Sequence, residues 1–402
     1  MLTKDLSFSA IIAGLVAVIV GYSSAIAIVY QAAQAAGATD AMMSSWILAL
    51  GLGMGILGIG LSWYYRMPIV IAWSTPGAAL LATSLVGQRL SDVIGAFVFV
   101  ALLTIIVGVS GWFSKLMAKI PMSIAGAMLG GILLNFGVAA FGAAGSQPVL
   151  VGLMFFSFLI AKRLLPRYAV IVLLMVGIGG AYMLGLMQSD SVELTLAQPV
   201  WVAPTLDWSV IIGIGLPLFV VTMTGQNMPG VAVLKTSGFD APVSSTITSC
   251  GIASLILSPF GGYTFNFASI TAALCSSEDS HPNKQKRYVA GIACGVFNIL
   301  VALAGGTIIA LLASFPKEMV SCLAGLALLS AISSSISTAV SEVKYREAAM
   351  ITFLVTISGV QFFGIASAFW GIVAGIISHL VLVYRPEHQA IGKLNKALGL
   401  RK

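Results

Sequence analysis

Charge is scarce in this chain. Asp, Glu, Lys and Arg make up 8% of its 402 residues and the mean hydropathy is +1.04, against about 25% charged residues in soluble domains. That scarcity excludes a water-soluble fold of this length. Histidine is nearly absent: His281 and His388 fall in loops, and His379 lies near the end of the last apolar segment. The four cysteines, Cys250, Cys275, Cys294 and Cys322, sit in apolar stretches without CxxC spacing, the pattern of small packing residues rather than of a metal or redox centre. HExxH, P-loop, GxSxG and dinucleotide fingerprints are missing in any supporting context, so an intramembrane enzyme lacks catalytic residues, and no cofactor or metal is expected. Without a nucleotide-binding motif, any transport must draw on an existing gradient. The net charge of +7 is dispersed over many loops, which argues against nucleic acid as a partner.

Apolar runs dominate instead, and runs of about 20 residues read as membrane spans. The first, from Phe8 to about Tyr30, is too long for a signal-peptide core. Gly, Pro and charge clusters divide the chain into fourteen segments near 8–33, 42–64, 68–87, 91–112, 121–141, 147–162, 168–187, 208–230, 242–258, 262–276, 287–312, 318–338, 347–363 and 366–384, an all-α polytopic membrane protein embedded in the lipid bilayer. The third and tenth are short or interrupted. With the N-terminus inside, 18 of the 20 Lys and Arg face the cytoplasm and only Arg89 and Lys317 fall outside. The outer loops instead carry Asp40, Asp92, Asp190, Glu193, Asp207 and Glu318. This partition follows the positive-inside rule and predicts a multi-pass bacterial inner-membrane protein with both termini cytoplasmic.

An internal echo suggests two halves. Gly21-Tyr22-Ser23-Ser24, then Gly37 and Asp40, lead to Ser74-Thr75-Pro76-Gly77; Thr224-Gly225-Gln226-Asn227-Met228-Pro229-Gly230, then Gly238 and Asp240, lead to Ser258-Pro259-Phe260-Gly261-Gly262. Seven spans, an odd number, separate the matching segments, so the repeats are inverted. The expected division is a first repeat at 1–190, a periplasmic linker at 191–207, a second repeat at 208–386 and a cytoplasmic tail at 387–402. Gly/Pro-broken segments at matching positions of two halves point to a transporter's binding site; the alternative is ordinary packing kinks.

Ala72-Trp73-Ser74-Thr75-Pro76-Gly77-Ala78-Ala79-Leu80, Gly225-Gln226-Asn227-Met228-Pro229-Gly230, Ser258-Pro259-Phe260-Gly261-Gly262-Tyr263 and Ala366-Ser367-Ala368-Phe369-Trp370-Gly371 together resemble the bacterial benzoate/proton symporter family over nearly the whole chain. The resemblance implies the uracil-permease and anion-exchanger fold: seven-plus-seven inverted repeats, a core and a gate domain, and half-extended third and tenth helices that meet at the substrate. It implies import of a small aromatic carboxylate, benzoate, with protons by alternating access, and homodimers through the gate helices. A nucleobase or inorganic-anion transporter on the same fold, or a passive anion channel, is the alternative. The chain departs from the uracil-permease branch in one respect. Where that branch carries acidic residues on the eighth and tenth helices, this sequence has amides, Tyr263 and Asn266, and all thirteen of its acidic residues can be placed in loops or at span ends.

Polar residues within the spans are the binding candidates, because a polar group in hydrocarbon needs a partner. The candidate substrate-binding set is Tyr22, Ser24, Gln31, Ser74, Thr75, Gly77, Gln226, Asn227, Tyr263, Phe265 and Asn266. Two adjacent amides, Gln226 and Asn227, exceed what helix–helix adhesion usually requires, although a structural role stays open. Lone hydroxyls such as Ser23 and Thr222 are expected to bond backward to helix carbonyls. A substrate carboxylate is expected between two helix N-termini, one after Thr75 and one near Asn266, with Phe265, Phe267 or Trp73 over the ring.

Overall fold

The structure, a computed structural model, describes residues 5–119, 121–187 and 194–382. The expected tail at 387–402, the start of the linker with Asp190 and Glu193, and Lys4 lie outside the described residues. Among the described residues the regular structure is helical apart from two three-residue strands. In order it forms α1 (Phe8–Ala35), α2 (Asp40–Tyr65), β1 (Ile71–Trp73), α3 (Thr75–Ser84), α4 (Leu90–Ser110), α5 (Met122–Gly142), α6 (Pro148–Leu164) and α7 (Ala169–Met183). The second half forms α8 (Trp208–Thr236), α9 (Val243–Leu257), β2 (Phe265–Phe267), α10 (Ile270–Ser276), α11 (Tyr288–Leu303), α12 (Gly305–Ser314), α13 (Lys317–Ala327), α14 (Leu329–Ser341), α15 (Arg346–Ile357) and α16 (Ser367–Leu382). Eight helices among the described residues are long and apolar enough to cross a membrane.

Local chemistry sets the helix starts. Ser7 Oγ accepts from Ala10 N at 3.1 Å to cap α1, and Ser74 Oγ accepts from Gly77 N at 3.0 Å to cap α3, whose first turn also carries Pro76. Asp207 caps α8, accepting from Ser209 N at 2.8 Å and Val210 N at 3.1 Å. These side chains satisfy N–H groups that a first turn leaves without partners.

Packing repeats between the halves. α2 packs most extensively on α11 and α9 on α4; α6 lies along α7 as α15 lies along α16. Exchanging the halves turns one pair of each set into the other. Small residues bring the helices together: a Cβ on Gly295 of α11 would lie 2.7 Å from the carbonyl oxygen of Gly55 in α2, and one on Gly251 of α9 would lie 2.8 Å from the Ile105 nitrogen in α4. Helices α1–α4 and α8–α11 therefore form one packed group, and α5 with α13–α15 and α16 another.

The third and tenth segments are not continuous helices. β1 and β2 pair antiparallel, with Ile71 opposite Phe267, Ala72 opposite Asn266 and Trp73 opposite Phe265. The helix of the tenth segment begins at Ile270, so the expected helix start near Asn266 is corrected: Asn266 lies inside the strand, where ladder pairing holds the backbone extended. The eleventh and twelfth expected spans are also each broken, at Ala304 and Leu328, and the chain turns by 111° between α12 and α13.

Residues 194–207 form an extended strap over one end of the first group. Ala197 N donates to Leu303 O at 2.9 Å, Val200 N to Ser45 Oγ at 2.9 Å, Val202 N to Pro259 O at 2.8 Å and Thr205 N to Ser91 O at 3.0 Å. At the other end, Arg66 Nη1 donates to the Tyr288 hydroxyl at 2.6 Å, Tyr288 donates to Asp5 at 2.9 Å, and Lys286 pairs with Asp5 at 3.2 Å.

Candidate functional site

The strand crossing is held from three sides. Phe265 N donates to Ser254 Oγ of α9 at 3.2 Å, Phe267 N donates to Asn227 Oδ1 of α8 at 3.1 Å, and the Tyr263 hydroxyl donates to Ser74 O at 3.1 Å. Non-helical backbone at membrane depth persists only where such partners exist. Phe265 seats its ring against Gly53, where a Cβ would lie 2.2 Å from it, and Phe267 packs on Gly230, where a Cβ would lie 2.5 Å away. At the far end of α10, buried Arg287 donates to Ser276 O at 2.8 Å and His281 O at 2.9 Å, a cation on the carbonyl end of the helix.

Beside this crossing lies a cavity of about 470 Å³, within the range of small-molecule sites. Val18, Gly21, Tyr22 and Ser24 of α1, the strand residues Ile71 to Trp73, Thr75 and Pro76, Gln226 of α8, Ala268 to Thr271, and Cys294 and Asn298 of α11 form one side. Leu129 of α5 and Ala327, Leu328, Ser330, Ala331, Ser334 and Ser335 of α13 and α14 form the other. No charged side chain lines it among the described residues. Among the described residues Thr75, Gln226, Ser269 and Thr271 make no side-chain hydrogen bond, and the buried Tyr22 hydroxyl is likewise without a partner. Tyr22 stands edge-on to Trp73, with ring centroids 4.8 Å apart.

Of the sequence candidates, the structure brings Tyr22, Ser24, Thr75 and Gln226 to the cavity wall. Ser74 and Gly77 form the capped turn at the start of α3. Asn227, Tyr263, Phe265 and Asn266 lie buried in the packed crossing behind the wall, and Gln31 lies farther along α1, its Nε2 without a partner among the described residues. Among the ring-covering residues expected, Trp73 lines the cavity, whereas Phe265 and Phe267 are used up in packing. Ser23 bonds back to Val20 O as anticipated for a lone helix hydroxyl, and the binding candidate Ser24 does the same, to Gly21 O. Thr222 does not: its buried hydroxyl has no partner among the described residues.

The neighbouring amides separate because α8 is widened to π-helical turns at Ile211–Gly215 and Met223–Asn227, each two residues before a proline, Pro217 and Pro229. A proline lacks an N–H and crowds the carbonyl four residues earlier, and a wider turn relieves both. Gln226 consequently faces the cavity while Asn227 faces the strand. Sequence reasoning missed Ser254, Thr271 and Asn298, single polar residues in apolar segments with no spacing to mark them. It also missed the serine face of α14, visible as Ser330, Ser334 and Ser335 at helical spacing.

The benzoate membrane transport protein family matches residues 4–381 of the chain. Inner membrane protein YdcO of Escherichia coli (strain K12) is 44% identical over 372 residues, 92% of this chain and 95% of that protein. The benzoate membrane transport protein of Acinetobacter baylyi (strain ATCC 33305 / BD413 / ADP1) is 42% identical over 382 residues, 95% of this chain and 97% of that protein. Among solved structures, the transmembrane domain of the cyanobacterium bicarbonate transporter BicA aligns with a TM-score of 0.56 at 14% identity, over 93% of this chain and 96% of that one. SLC26A9 aligns with a TM-score of 0.60 at 15% identity, over 93% of this chain and 65% of that one. At such identities these two structures establish the fold alone.

Proposed function

The chain belongs to the benzoate membrane transport family, and from that premise we propose a secondary active transporter that imports benzoate, a small aromatic carboxylate, with protons by alternating access. The carrying observation is the cavity at the strand crossing: an apolar wall with Trp73 and Tyr22 for a ring, and uncommitted donors on Thr75, Gln226, Ser269 and Thr271 for a carboxylate. Hydrogen bonds to a charged group contribute about 1.5–3 kcal/mol each. Two of them offset the roughly 2.5–3.5 kcal/mol that insertion scales assign to a charge at mid-bilayer. The α3 terminus contributes less than a free helix start, since Ser74 already occupies Gly77 N and Pro76 has no N–H.

In this reading residues 1–190 and 208–386 are the inverted repeats of fourteen spans, joined by a periplasmic linker at 191–207. Helices α1–α4 with α8–α12 are the core and α5–α7 with α13–α16 the gate. The end carrying Asp5, Arg66, Lys286 and Arg287 faces the cytoplasm, as its basic character favours.

The test is uptake of labelled benzoate into proteoliposomes under an imposed inside-alkaline pH gradient. Saturable uptake that rises with the gradient, and that excess benzoate but not uracil or sulfate suppresses, is the expected result. Flux that does not saturate would favour a channel, and indifference to the gradient would remove proton coupling.

A further inference from the structure

Lys162 lies in the last turn of α6, and its ammonium donates to Ser330 Oγ of α14 at 2.9 Å. Ser330 lines the cavity and is exposed, as is Ser334 one turn on. Phe158, one turn before Lys162, presents its ring centroid 5.4 Å from the same ammonium. No carboxylate pairs with Lys162 among the described residues. Ser330, accepting from Lys162, donates its own hydroxyl proton to no protein acceptor among the described residues. Arg167, just beyond α6, pairs with Asp279, just beyond α10, at 2.9 Å, which places this end of α6 beside the basic end of the molecule.

A lysine at a membrane helix end ordinarily extends toward the headgroups. Here its ammonium lies between Ser330 of the cavity wall and the Phe158 ring, with no counter-charge among the described residues. Such a fixed cation raises the local concentration of anions. We propose that Lys162 and Ser330 form a second carboxylate station at the inner mouth, occupied by the transported anion between the central cavity and the cytoplasm. The proposal rests on reading that cavity as the carboxylate path.

Its placement makes the station one-sided. Lys162 and Ser330 sit on gate helices, whereas Thr75, Gln226, Ser269 and Thr271 sit on core elements. A core that moves against the gate leaves the station behind, so Lys162 acts on substrate presented from inside and not on substrate presented from outside.

Two measurements test this. In everted and right-side-out membrane vesicles, Lys162→Gln should raise the half-saturation concentration of benzoate at the inner face by about 2- to 10-fold and weaken its dependence on ionic strength. The outer value should stay unchanged, and Lys162→Arg should restore the inner one. Equal shifts at both faces, or none, overturn the proposal. The second measurement needs no transported substrate. With the four native cysteines replaced, Ser334→Cys should react faster with an anionic than with a cationic methanethiosulfonate, and Lys162→Gln should lower that ratio by about 3- to 10-fold. An unchanged ratio overturns the station whether or not benzoate is carried. Wild-type protein that carries no benzoate, with the ratio still dependent on Lys162, overturns the substrate reading and leaves the anion station standing.

Discussion

At the scale of single residues, the adjacent amides of α8 make the sharpest contrast. Asn227 accepts from the buried Phe267 N–H and is itself almost wholly buried, whereas Gln226 faces the cavity uncommitted. Asn227→Leu strands a buried donor at about 1–3 kcal/mol, and the expected outcome is a lower melting temperature in detergent. Gln226→Leu should leave that temperature unchanged and weaken benzoate binding, roughly 5- to 150-fold if one charge-directed bond of that size is lost. Equal behaviour of the two variants would dissolve the distinction. From the sequence both residues were legible as unusual polarity in an apolar helix. Their opposite duties were not, because Pro229 signals a disturbed helix without saying that the relief is a π-helical turn that aims the two amides apart.

At the scale of elements, Ser74-Thr75-Pro76-Gly77 announced the start of α3, since a capping serine and a first-turn proline are local signals. The start of α10 carried none: Ser269 makes no cap, and the extended stretch before it exists because of distant partners on α8 and α9. Gly53 shows the same non-local dependence. Gly53→Ala should dislodge the Phe265 ring and destabilise the strand crossing, visible as a lower melting temperature that is partly recovered by Phe265→Leu. The start of α8 adds a pH dependence. Hydrogen bonds from the Ser209 hydroxyl and the Val210 N–H hold the Asp207 carboxyl below its ordinary value. A depressed folded value means that this cap contributes stability above the unfolded pKa and loses it as pH falls toward the lower folded one. Asp207→Asn, which caps without titrating, should flatten the acid side of a stability–pH curve, while Asp207→Ala should cost about 0.5–2 kcal/mol at neutral pH.

At the scale of the whole molecule, the strap at 194–207 distinguishes what moves together. Its hydrogen bonds reach α2, α4, α11 and the turn after α9, all in the group assigned to the core. On the same side a smaller cavity of about 80 Å³ separates α3 from α5 and α15, with Thr83 and Asn135 among its lining. If the core moves against the gate, tying strap to core is harmless and tying α3 to α5 is not. Cysteines at Ala197 and Leu303, joined by a short bifunctional thiol reagent, should therefore leave benzoate uptake intact. Cysteines at Thr83 and Asn135, joined by the same reagent, should abolish it, and cleavage of the link should restore it. Full uptake through the linked Thr83–Asn135 pair would mean that substrate crosses without relative motion of the two groups, and alternating access would have to be abandoned.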